Sequence, residues 1–166
     1  VNIGTASFTP TTGQWYHLAV VRSTTNYIFY IDGAAAATNS DSRLVPDANA
    51  ALTIGQAEGN FFFNGLLDEV SIYNRALTGL EIQTIHNADN GGKCGASSSG
   101  AAVPYAADFE KGIGSEWAVL LVNSAETPGF SSFSGRFGNN AQSLTLTNLI
   151  PGQSYTLGFD FYAIDS

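Results

Sequence analysis

The chain has 166 residues, of which 44% are hydrophobic and 12% aromatic, enough to bury a core and too apolar for a disordered segment. Charged residues make up only 12% and the net charge is −8, so a phosphate-binding basic surface is excluded and nucleic acid is not an expected partner. Residues 1–90 carry three basic and eight acidic side chains and residues 91–166 carry three and six, so both halves are acidic. Such surfaces suit calcium, neutral sugars or solubility. The single cysteine, Cys94, rules out a disulfide within the chain, and no apolar run reaches the length of a membrane span. Methionine is absent, even at position 1, and the expectation is a fragment of a longer protein.

Trp15 to Arg22 reads WYHLAVVR, alternating at period two as a strand does. Ser23 to Asn26 is turn chemistry, and Tyr27 to Ile31 is a second strand. Asp32-Gly33 is a two-residue hairpin signal, because both positions must take positive φ. Ala34 to Thr38 is the returning strand, and 39–50 reads as a polar loop. Leu52 to Gln56 is a short strand, and Phe61 to Phe63 can start the next. Leu66 to Tyr73 is a clear strand. Regular alternation puts Leu66, Asp68, Val70 and Ile72 on one face and Leu67, Glu69, Ser71 and Tyr73 on the other.

One helix is expected. Thr78 and Glu81 form a T-x-x-E capping box, and Leu77 and Ile82 occupy the staple positions around it. The helix should end near Asn87. Residues 89–103 (DNGGKCGASSSGAAV) are small, polar and glycine-rich, and read as a linker. Beyond it, Tyr105 to Phe109 and Trp117 to Val122 are candidate strands, and 123–140 is loop-like. Pro151-Gly152 is a turn. After it, Tyr155, Leu157, Phe159 and Phe161 alternate with Thr156, Gly158, Asp160 and Tyr162.

Several segments in the first half resemble the laminin G-like, concanavalin A-like jelly-roll family. They are the strand Trp15 to Arg22, then Tyr30-Ile31-Asp32-Gly33, Leu52-Thr53-Ile54-Gly55, and the run from Phe63 to Leu77 (FNGLLDEVSIYNRAL). The resemblance covers about residues 1–88 and implies the C-terminal part of a two-sheet antiparallel sandwich. Members are mostly secreted or cell-surface modules that bind glycans or proteins, often with calcium. The family's first strands should precede Val1. Residues 104–166 resemble the N-terminal portion of a secreted β-sandwich module of the carbohydrate-binding or adhesion kind. That resemblance rests on Asp108-Phe109-Glu110, Trp117 and the passage from Leu144 through Pro151-Gly152 to Leu157. The expected fold class is therefore all-β, an incomplete antiparallel jelly roll over 1–88 with one short C-terminal helix. A linker over 89–103 and a second incomplete sandwich over 104–166 follow.

Catalytic candidates do not assemble. Asp68 and Glu69 are adjacent and face opposite ways in a regular strand, so they are not a paired acid and base. There is no G-x-S-x-G elbow, and the two histidines, His17 and His86, have no metal-ligand spacing. No catalytic residue is expected. Asp68 is expected to be structural, buried and paired with Arg75 or Arg22. Trp15 is expected in the core, with Thr78 and Glu81 capping the helix. Calcium is a candidate cofactor, its ligands drawn from loop residues Asp41, Asp47 and Glu58. Phe62, Asn60 and Trp117 are the candidate ligand-binding residues, since aromatic faces stack on sugar rings and amides read hydroxyls. Tyr27 and Tyr162 are not distinguished from these. The expected role is non-catalytic binding of a glycan, extracellular matrix or cell-surface protein within a larger secreted multidomain protein. A structural spacer or protein-adhesion module, and an accessory part of a glycoside-degrading enzyme, are the alternatives.

Overall fold

The computed structural model describes residues 6–43, 52–54, 63–88, 104–110, 112–118, 122–124, 132–137, 142–147 and 149–163. The chain is all-β and antiparallel, with one helix among the described residues. The strands are β1 (Trp15–Ser23), β2 (Asn26–Ile31), β3 (Ala34–Ser40), β4 (Leu52–Ile54) and β5 (Gly65–Tyr73). The helix α1 (Gly79–Asn87) follows. Then come β6 (Tyr105–Ala107), β7 (Val122–Ser124), β8 (Ser132–Phe137), β9 (Gln142–Leu144) and β10 (Thr156–Ala163).

The local chemistry accounts for the elements. Asp32 and Gly33 both take positive φ, 49° and 76°, and close the tight hairpin between β2 and β3. Gly152 at φ 82° turns the chain into β10. At the helix, the Thr78 side chain accepts from the Glu81 N–H while the Glu81 carboxylate accepts from the Thr78 N–H, a complete capping box. Leu77 and Ile82 close the staple beneath it, 5% and 1% exposed.

The large sheet runs in the order β3-β2-β1-β10-β5-β8-β7, with β6 also paired to β5. Strands from both sides of the glycine-rich stretch thus share one sheet. β10, near the end of the chain, lies between β1 and β5 and pairs with each. The boundary at 89–103 is one of composition, and the hydrogen bonding of the sheet does not follow it. A two-stranded sheet of β4 and β9 forms the second layer. Four strands depart from expectation: β3 extends to Ser40, β7 runs into and β8 lies within the stretch 123–140 that reads as a loop, and β9 is an additional strand, while Trp117, expected to open a strand, makes an isolated bridge to Leu144.

The two faces of the large sheet differ. Leu67, Val70, Ile72 and Phe161 look toward the small sheet and form the main core with Ile54, Leu144, Tyr105, Phe109 and Trp117. On the other face Ala19, Val21 and Tyr30 pack under α1 against Leu77 and Ile82.

The strand β5 departs from regular alternation. Asp160 pairs with Asp68 and Gly158 with Ser71, so Glu69 and Val70 together oppose Phe159. Glu69 has φ 51°, the left-handed first residue of a bulge. The extra residue resets the parity of the strand. Leu66 and Asp68 therefore lie on the helix side with Ser71 and Tyr73, while Leu67 joins Val70 and Ile72 on the core side. The expected grouping of Leu66 and Asp68 with Val70 and Ile72 is corrected on this point.

Candidate functional site

The helix-side face of the sheet holds the polar and aromatic groups of interest. Register aligns them in rows that cross β1, β10 and β5. Trp15, Tyr162 and Leu66 form one row, and His17, Asp160 and Asp68 form the next. Side chains opposite one another in adjacent strands stand about 5 Å apart at Cβ. Farther along, Ala19, Gly158 and Ser71 form the row at which the helix-covered part begins.

Trp15 and Tyr162 pack with ring centroids 5.3 Å apart and planes tilted by 51°. Both rings are partly exposed, and neither belongs to the two buried clusters. His17 is buried, its backbone N–H held by the Asp32 carboxylate at 2.9 Å. Its ring lies 5.9 Å from that of His86, which projects from the last turn of α1.

Asp68 is 2% exposed and accepts from the Glu69 N–H at 2.8 Å. Burial raises its pKa to about 8, the hydrogen bond from Glu69 opposing and the nearby Glu69, Asp160 and Glu110 carboxylates adding to the rise. The group therefore carries a proton at neutral pH. The expected ion pairs are not formed. Arg75 donates to both carboxylate oxygens of Glu81, at 2.7 and 3.0 Å. Arg22 donates to the Arg43 carbonyl and sits 5.5 Å from the Tyr27 ring centroid. Asp68 is structural in position, but its charge is avoided by protonation and not balanced by arginine.

The other expected site residues separate. Trp117 is 2% exposed and its indole N–H donates to the Tyr105 hydroxyl at 2.6 Å, which in turn donates to Glu116 at 2.8 Å. Its ring packs edge-on to Phe109 in the core, so it is not a surface for a ligand. This reverses the expectation for the two tryptophans: Trp117 is the core residue, and Trp15 is the one left at the surface. Asp41 spends both carboxylate oxygens on Arg43, whose guanidinium holds its pKa down to about 2. Among the described residues no group of three or more His, Cys, Asp or Glu side chains could hold a metal ion. Asp47, Glu58, Asn60 and Phe62 lie outside the described residues.

The opposite face carries a cavity of about 240 Å³ lined by Phe8, Leu18, Val20, Phe29, Ile31 and Phe159 among others. No Asp, Glu, His, Lys or Arg lines it.

With this geometry in view, comparison with known proteins adds one finding. Residues 2–83 match the family model of the concanavalin A-like lectin/glucanases superfamily. The chain carries a laminin G-like domain there, on a fold whose antiparallel strands and single helix agree with that class. No curated protein and no solved structure matches the chain. Among the described residues no helix is long and apolar enough to cross a membrane.

Proposed function

We propose that this chain is a non-catalytic binding module of a larger secreted protein, taking a carbohydrate or extracellular-matrix ligand. The observation that carries this reading is the concanavalin A-like lectin/glucanase match over residues 2–83, on a sheet that presents partly exposed aromatic and polar side chains together. Ligand sites of this kind combine aromatic surface with a few placed polar groups. The extracellular assignment rests on the usual setting of laminin G-like domains.

A second reading, protein adhesion, draws support from the apolar cavity at Leu18, Val20, Phe29 and Phe159. Calcium stays a candidate cofactor, with Asp41, Asp47 and Glu58 as its candidate ligands.

The test is a glycan-panel binding assay on the chain, run in calcium and again in chelator. Binding in both conditions supports a metal-independent carbohydrate module. Binding in calcium alone supports a calcium-assisted carbohydrate module. Absence of binding in both overturns the carbohydrate reading in favour of a protein ligand.

A further inference from the structure

We propose that Trp15 and Tyr162, with Asp160 and His86 beside them, form a subsite for a pyranose ring of a neutral polysaccharide. The inference rests on the carbohydrate reading above and gives it a location and a ligand class.

The two rings are cross-strand partners on β1 and β10, and both keep part of their surface open. Buried aromatic residues of this chain sit instead in the main core, as Trp117, Phe109 and Tyr105 do. A tilted pair with centroids 5.3 Å apart offers two apolar ring surfaces beside each other, suited to the C–H face of a sugar. A ring held there needs hydroxyl partners at its edge. Two residues along β10, on the same face, stands the partly exposed Asp160, and the partly exposed His86 packs against the buried His17 from the helix end. A carboxylate accepts hydroxyl protons and an imidazole can donate or accept.

The charge of the surroundings selects the ligand. Among the described side chains, the rows around the pair contain Asp160 and the protonated Asp68 and no lysine or arginine. A phosphorylated, sulfated or uronic ligand would meet the Asp160 carboxylate. A neutral sugar meets no such repulsion.

The experiment uses the full chain with soluble neutral hexasaccharides: β-1,4-glucose, β-1,3-glucose, β-1,4-xylose and β-1,4-mannose oligomers. Affinity is measured by calorimetry and acrylamide quenching of tryptophan fluorescence is followed in parallel. Trp117 is 2% exposed, so quenching reports on Trp15. The expected result is that one of the oligomers binds and protects Trp15 from the quencher. Trp15→Ala should then weaken binding at least about tenfold, and Trp15→Phe less, because the ring is retained. If Trp15→Ala does not fold, the quenching of the unmodified chain still decides. Binding without protection of Trp15, or undiminished in Trp15→Ala, overturns the subsite and leaves carbohydrate binding to another surface. Failure of all the oligomers to bind the unmodified chain overturns the subsite and the carbohydrate reading together.

Discussion

The two faces of the large sheet are built from the same strands and do opposite work. Toward the small sheet, Leu67, Val70, Ile72 and Phe161 meet Ile54, Leu144 and Trp117 in a closed apolar layer. Toward the helix, Ala19, Val21 and Tyr30 pack under α1. The remainder holds Trp15, Tyr162, His17, Asp160 and Asp68. One strand residue decides this difference. Without the bulge at Glu69, Asp68 would point into the main core, where a carboxyl group has few partners. A single left-handed residue moves it beside Asp160 and His17 instead.

The largest test of the comparison removes the strand that both faces share. β10 sits between β1 and β5 and contributes Phe161 and Ala163 to the core. Residues 1–88 alone should therefore show no cooperative unfolding transition and should aggregate, through unpaired strand edges and an uncovered apolar face. A sharp two-state melt for that piece would mean that the first segment closes its own core.

Asp68→Asn addresses the helix-side face. The pKa of Asp68 is raised in the folded protein, so its contribution to stability is fully present below the unfolded value, near 4. It is lost progressively as pH rises to the folded value of about 8. Four units correspond to roughly 5 kcal/mol, an upper figure for the loss. Asparagine carries no such dependence. Between pH 4 and 8 the variant should lose less stability than the parent by several kcal/mol, measured by denaturant unfolding. Parallel curves would show that Asp68 is ionised and compensated in the fold.

The two tryptophans give the next contrast. Trp117→Ala empties a fully packed position and breaks the hydrogen bond to Tyr105, and should cost about 3–5 kcal/mol. Trp15→Ala removes a partly exposed ring outside both buried clusters and should cost less than about half of that. Equal losses would mean that both rings are core. Smaller again is Thr78→Ala, at about 1 kcal/mol, because it deletes one side of the capping box and nothing buried.

The sequence alone shows what depends on near neighbours in the chain. The hairpin at Asp32-Gly33, the capping box at Thr78 and Glu81, the staple and the alternation of β10 are all local patterns, and all are present. What it could not show is which strands meet. Asp160 and Tyr162 lie on one face of β10 by simple alternation. That they adjoin His17 and Trp15 depends on a pairing across some 140 residues of chain. The tryptophans were misassigned for the same reason. Trp15 opens an alternating strand and Trp117 opens the apolar run to Val122, but burial is set by the layer that lands on each. The Asp68 environment was hidden by the bulge, for which a glycine would have been the usual signal and glutamate is not.

That last point can be tested by the sign of one substitution. In a regular strand Glu69→Gly should destabilise, by about 0.5–1 kcal/mol, through the larger backbone entropy of glycine in the unfolded chain. At a left-handed position the strain of a non-glycine residue, about 1–2 kcal/mol, is relieved by the same change and opposes that entropy. The bulge therefore predicts Glu69→Gly to be neutral or slightly stabilising in denaturant unfolding. A clear loss of stability would return β5 to regular alternation. Asp68 would then share a face with Val70 and Ile72, and the distinction between the two faces would lose its cause.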